Sequence, residues 1–175
     1  SYYERSLEIG LQENSPWSQS RTHMLMVQSY EAGGQLEKAM EHYNASLNID
    51  QEVSYLKGAA FSSQHIGALY LKMGKSREAI LAFREGLRIG KDLANLQTQM
   101  ESLLGLIHGH ADLHELDNAR QAWKEADEIA GTMNEAGYRF LVPLERGKLE
   151  SKCGQPTTAL VYYQKALEEA NRQAN

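Results

Sequence analysis

The chain has 175 residues, of which 42% are hydrophobic and 23% are charged. These proportions are typical of a folded globular protein, and the length allows one domain with a substantial core. The net charge is −5, and Lys and Arg are scattered along the chain. Nucleic-acid surfaces carry basic stripes and anionic membranes attract polybasic patches, so the sequence predicts neither a nucleic-acid nor a membrane partner.

The expected compartment follows from cysteine content and from the first residues. Cys153 is the one cysteine, which excludes a disulfide within the chain and is typical of a reducing compartment. The opening residues, SYYERSLEIG, lack the basic-then-apolar order of a secretory signal. We therefore expect a cytoplasmic location, with a nuclear one left open.

A repeat of forty residues runs through the chain. Alanine recurs at this spacing as Ala39, Ala79, Ala119 and Ala159. Four residues after each alanine stands an aromatic residue: Tyr43, Phe83, Trp123 and Tyr163. A third column is small throughout: Ser6, Ser46, Gly86, Ala126 and Ala166. Because these columns lie three to four residues apart, they form one helix face that allows close helix packing.

The predicted elements are all helices. A lone helix at about 2–11 belongs to a partial repeat, 1–12, and four helix pairs follow at about 16–51, 55–91, 95–131 and 135–172. Ser15 and Pro16 suit the cap and first turn of the first pair. Glycines in the breaks suit left-handed helix caps: Gly34, Gly74 and Gly154. We expect one domain that is a fragment of a longer protein.

Pro143 falls inside the first helix of the last pair. A proline there removes a backbone hydrogen bond and clashes with the preceding turn. Our hypothesis is that the helix runs through Pro143 with a kink. The alternative is a helix that begins near Val142.

The pattern resembles the tetratricopeptide repeat, most clearly at residues 66–89, IGALYLKMGKSREAILAFREGLRI. The resemblance implies an all-α, right-handed superhelix of about nine antiparallel helices in 4.5 repeats. The common repeat has about 34 residues, whereas this one has forty and is similar to the longer Pins/LGN-type and rapsyn-type repeats. The asparagines with which Pins-type repeats hold their partner are missing here, so that ligand does not carry over.

The resemblance also implies where a partner binds. In such superhelices helix A, the first helix of each pair, lines the concave side. The expected partner-binding residues on helix A are Arg21, Met24, Gln28, Phe61, Gln64, Ala68, Glu101, Leu104, His108, Leu141, Leu144 and Lys148. Their mostly apolar character favours a peptide or an amphipathic helix as partner. Burial of Phe61 and Leu141 against the preceding helix is the alternative.

No residue pattern supports catalysis or a cofactor. His110 and His114 share the spacing of two zinc ligands, but Ala111 stands where the metalloprotease motif needs Glu. A structural histidine and a helix-end histidine explain both residues, so we expect no catalytic residue, metal or cofactor.

Two functions remain open. The first is a non-enzymatic adaptor that holds a segment of another protein in the helix A groove. The second is a regulatory domain that senses a ligand or a signalling peptide for an attached effector, such as a transcription regulator. The sequence also allows self-association, because no polar capping helix closes either end of the repeat array.

Overall fold

The computed structural model describes residues 5, 15–133 and 135–173, and every regular element in this part is an α-helix. Eight helices follow one another: α1 Pro16–Ala32, α2 Leu36–Glu52, α3 Leu56–Lys72, α4 Ser76–Asp92, α5 Leu96–Asp112, α6 Leu116–Thr132, α7 Ala136–Lys152 and α8 Pro156–Gln173. Odd-numbered helices are helix A and even-numbered helices are helix B of four repeats. The predicted helix at about 2–11 lies, apart from Arg5, outside the described residues.

The forty-residue period is built from two equal halves. Each helix begins twenty residues after the one before it. The first seven helices have 17 residues and α8 has 18. This confirms an all-α superhelical repeat fold. None of the described helices combines the length and the hydrophobicity needed to cross a membrane.

Helices α1 to α5 and α7 end in the same way, whereas α6 is followed by the extended residue Met133. After α3, Lys75 N donates to Tyr70 O at 2.8 Å and Gly74 N donates to Leu71 O at 3.0 Å. This bonding pattern is the Schellman motif, whose middle residue takes a left-handed conformation. The left-handed caps predicted at Gly34, Gly74 and Gly154 are confirmed, with φ angles of 70°, 72° and 69°.

The core is formed by the columns that define the repeat. Ala79 and Phe83 of α4 are buried. The Phe83 ring lies between Gly67 of α3 and Gly105 of α5, and a Cβ atom at either glycine would overlap it. One aromatic residue thus fills the space that two glycines leave open, which is why the repeat alternates small and aromatic residues.

Contacts between repeats set the curvature. Helix α3 contacts α5, and α5 contacts α7, so the A helices of the second, third and fourth repeats touch. Between the B helices of the described repeats there is no comparable contact. The A helices therefore lie on the inner side of the curve.

Helix α7 begins at Ala136 and contains Pro143 in its interior. The alternative in which this helix begins near Val142 is therefore wrong. Trp123 Nε1 of α6 donates to Val142 O at 2.8 Å, next to the proline. A kink at Pro143 stays a prediction.

Candidate partner-binding surface

The twelve predicted positions all lie on odd-numbered helices, and we call them the helix A surface. Their exposure differs. Six are exposed: Arg21, Gln28, Phe61, Glu101, His108 and Lys148. Five are half-buried: Met24, Ala68, Leu104, Leu141 and Leu144. The twelfth, Gln64, is buried.

Gln64 connects two repeats. Its Nε2 atom donates to Thr98 O at 2.8 Å and to Ser102 Oγ at 3.0 Å. These two bonds tie α3 to the first half of α5, and they orient the amide toward α5. Ala68 and Leu104 also pack against the main core, and Met24 packs against the core of the first two repeats. Four of the twelve helix A positions therefore contribute to the interior of the repeat array.

A pocket of about 440 Å³ opens between α1 and α3, and we call it the N-terminal pocket. Its lining includes the side chains of Trp17, Tyr55 and Phe61 together with the cations Arg21 and Lys57. The Arg21 guanidinium lies 5.3 Å from the centre of the Trp17 ring. The pocket thus joins large apolar surfaces with positive charge at its rim.

A buried carboxylate also lines the N-terminal pocket. Asp50, at the end of α2, is only 2% exposed, and Ser20 Oγ donates to its Oδ1 atom at 2.7 Å. Burial raises the pKa of Asp50, and the Ser20 hydrogen bond offsets part of that effect. The Oδ2 atom lies where Gly58, also in the lining, lacks a side chain.

A second pocket, of about 350 Å³, lies between α5 and α7, and we call it the C-terminal pocket. Its central group is Glu145, which is buried between His108 Nε2 at 2.7 Å and Lys148 Nζ at 2.8 Å. Burial opposes ionisation of Glu145, but these hydrogen bonds outweigh it and hold its pKa below the usual value. At the rim Lys152 pairs with Asp112 at 3.0 Å. This pocket is internally charge-paired.

The two histidines with metal-like spacing have separate positions. His110 is buried, and its Nδ1 atom lies 2.6 Å from Glu115 Oε2. His114 lies in the connection after α5 with a φ of 58°. Within the described part of the chain, no three His, Cys, Asp or Glu residues are grouped as metal ligands.

Comparison with protein families gives a match in the first half of the chain. A family model described as tetratricopeptide repeat matches residues 18–92. The match covers nearly all of helices α1 to α4. Residues 18–92 carry tetratricopeptide repeats. The resemblance inferred from the sequence is thereby confirmed, while the Pins/LGN-type and rapsyn-type subtype stays a prediction.

Solved structures of similar fold match over nearly the full length of the chain. BtubC (BKLC) from P. vanneervenii has a TM-score of 0.81 and 17% identity, covering 92% of this chain and 66% of its own. Tetratricopeptide-like repeats of a putative kinesin light chain from Podosopora anserina have a TM-score of 0.80 and 16% identity, covering 98% and 85%. At such identities the similarity shows the fold alone.

A third structure is a Rap protein complexed with Competence and Sporulation Factor. Its TM-score is 0.71 and its identity 13%, and the match covers 99% of this chain and 58% of that protein. The chain therefore spans about two thirds or less of the length of BtubC and of the Rap protein. No curated protein sequence matches it significantly.

Sequence reasoning missed six lining residues of the N-terminal pocket, among them the aromatic and charged ones described next. Trp17 and Lys57 stand in the first turns of α1 and α3, Tyr55 stands in the connection before α3, and Asp50 lies in the last turn of a B helix. None of them belongs to the helix A columns of a tetratricopeptide repeat. A large aromatic residue outside the repeat columns, such as Trp17, is the signal that could have pointed to this pocket.

Proposed function

We propose that this chain is a non-enzymatic adaptor of the cytoplasm that binds a peptide or an amphipathic helix of another protein along its helix A surface. The observation that carries the proposal is the exposure of Phe61, which is 46% accessible on the inner side of the curve. Exposed apolar side chains grouped on a concave solenoid surface are typical of binding sites.

The polar members of the surface fit the same role. Arg21, Glu101 and Lys148 are exposed on three of the four A helices. A hydrophobic centre with a polar rim is the usual composition of a protein interface. A partner segment that follows the groove would meet apolar anchors and alternating charges, which gives it a register.

A second candidate is a domain that senses a ligand or signalling peptide and regulates an attached effector. It is favoured by the similarity to the Rap protein complexed with Competence and Sporulation Factor. Binding that changes the curvature of the chain would distinguish sensing from simple adaptor binding, in which the curvature stays constant.

Self-association is a third part of the proposal. Three apolar side chains of α8 are at least half exposed: Leu160, Val161 and Leu167. Ile80 of α4, which holds the same repeat position as Leu160, is buried in part by Gly109 of α5. The α8 face therefore offers an apolar surface on which a second copy could pack.

The test of the adaptor function compares two matched substitutions. Phe61→Glu places a charge on the helix A surface, whereas Leu81→Glu places one on α4, where Leu81 is 66% exposed. Both variants should keep the melting curve of the parent chain, because both side chains face solvent. We expect a protein captured from cell extract by the parent to be retained by Leu81→Glu and lost by Phe61→Glu.

Other outcomes of this capture experiment count against the proposal. Retention by Phe61→Glu with loss by Leu81→Glu would move the interface to the B helices. Equal capture by both variants would exclude an anchor at Phe61. A chain that captures nothing would favour the sensing function.

A further inference from the structure

All exposed aromatic side chains of the described residues converge on one place. Trp17, Tyr55 and Phe61 are 58%, 44% and 46% accessible, and the other described Phe, Tyr and Trp residues are buried or half-buried. All three line the N-terminal pocket. Such a concentration of exposed aromatic surface is typical of the centre of a binding interface.

The pocket holds a preformed wall for an aromatic ring. The Phe61 ring is fixed by the ring of His65, whose centroid is 4.2 Å away, and His65 in turn stacks on Tyr43 at 5.2 Å. A fixed aromatic side chain loses little conformational entropy on binding. A partner ring can therefore pack in offset or edge geometry against the three exposed rings.

Asp50 supplies an acceptor that the chain itself does not use. Ser20 donates to Oδ1, while Oδ2 has no hydrogen-bond partner among the described residues, and Asp50 lines the pocket. Gly58 leaves the space that Oδ2 occupies, since a Cβ atom there would overlap the carboxylate. A carboxylate oxygen that lines a pocket and receives no donor from the chain is an acceptor that a ligand can use, and hydrogen bonds to charged groups are among the stronger ones.

We propose that the N-terminal pocket receives a tyrosine side chain of the partner segment, whose phenol O–H donates to Asp50 Oδ2. The inference rests on the proposed function, because it assumes that a protein segment occupies the groove. An O–H donor to a carboxylate makes a short, charge-assisted hydrogen bond, and the ring fills the aromatic part of the pocket.

The charges of the pocket select against the main competitors of tyrosine. Arg21 and Lys57 stand at the rim and repel a Lys or Arg side chain. A Glu or Asp side chain would bring a second negative charge to the buried Asp50. Phe and Leu fit the apolar walls but leave Oδ2 without a donor, and a polar site discriminates strongly against a ligand that lacks its hydrogen-bonding group.

The experiment selects ligands for the intact chain from a display library of random 12-residue peptides. The tyrosine-bearing peptides are then synthesised in three forms, with Tyr, Phe or O-methyltyrosine at that position. Their Kd values are measured by isothermal titration calorimetry on the parent chain, on Asp50→Asn and on Asp112→Asn. The last variant is the control, because Asp112 lines the C-terminal pocket.

We expect selected peptides to share a tyrosine, and we expect the Phe and O-methyltyrosine forms to bind the parent at least about tenfold more weakly. Asp50→Asn should reduce this ratio several-fold, and Asp112→Asn should leave it unchanged. The comparison of peptide forms uses the parent chain alone, so it stands even if Asp50→Asn does not fold.

Equal binding of the Tyr and Phe forms, or a ratio that Asp50→Asn leaves unchanged, would overturn the inference. Selected peptides that bind independently of Phe61 and are lost by Leu144→Glu would overturn it while leaving the adaptor function intact. A library that yields no bound peptide would count against both.

Discussion

At the scale of single residues, the stability of the array depends on glycines that leave room for aromatic rings. Gly105 and Gly109 of α5 stand four residues apart, so they share one helix face. Both leave room for side chains of α4, because a Cβ at Gly105 would overlap the Phe83 ring and one at Gly109 would lie 2.8 Å from Ile80 Cγ1.

Gly105→Ala should therefore destabilise the chain although alanine is the better helix former. We expect a loss of about 1–3 kcal/mol in the free energy of unfolding, the usual cost of overpacking a core. Urea unfolding followed by circular dichroism measures it. Gly131→Ala is the control, because Gly131 of α6 has no atom within 4 Å of the added Cβ and should gain up to about 1 kcal/mol. Equal stabilities of Gly105→Ala and the parent would contradict this packing.

Single residues are also where sequence reasoning fails. Gln64 occupies a helix A column, yet its amide is used by Thr98 and Ser102 of the next repeat. The column assigns a side chain to a helix face, but the hydrogen bond depends on the distance between two repeats. Asp50 is comparable, since the sequence places it at a helix end and gives no sign of its burial beside Ser20.

At the scale of the elements, the sequence predicts helices and connections well because both depend on local chemistry. The helix start predicted at Pro16 agrees with the structure, in which α8 also begins at a proline, Pro156. Ser54, Ala94 and His114 take the same left-handed conformation as the cap glycines. The residue types Ser, Ala and His do not predict this conformation. It follows only from the regular twenty-residue spacing of the connections.

A pair of histidines joins α1 to α2, and we expect it to make the stability of the first repeat depend on pH. His23 of α1 and His42 of α2 have their Nδ1 atoms 2.7 Å apart. Burial lowers the pKa of His23, and the charge of His42 lowers it further. Burial also lowers the pKa of His42, against the opposing effect of Glu41. The folded chain therefore holds both imidazoles neutral more strongly than the unfolded chain does.

We expect the free energy of unfolding to decrease as the pH falls from 7.5 to 5.5. A histidine with a lowered pKa in the folded state contributes stability above its ordinary pKa of about 6.5 and loses it as the pH falls through the folded value. Urea unfolding at each pH measures the decline, which should be smaller in a His23→Gln, His42→Gln double variant. A part should remain, because burial also lowers the pKa of His65. The same decline in both proteins would exclude this pair as its source.

At the scale of the whole molecule, the periodic columns predict the tetratricopeptide fold, because each repeat contacts mainly its neighbours. They do not predict the N-terminal pocket, which joins the first turns of α1 and α3 to the end of α2. Trp17 of the first repeat and Tyr55 at the start of the second line the same pocket because of the angle between these two repeats. The sequence therefore predicts the helix A surface, and the tertiary structure adds the pocket residues at its edge.

The central claim is that partners contact the A helices, and site-specific photocross-linking tests it most directly. A photoreactive amino acid is placed at exposed A positions, Arg21 and Glu101, or at exposed B positions, Leu81 and Gln121. Each labelled chain is irradiated in cell extract. We predict that a partner is cross-linked from Arg21 and Glu101 and not from Leu81 or Gln121. Cross-links confined to Leu81 and Gln121 would contradict the claim and move the interface to the outer side of the curve.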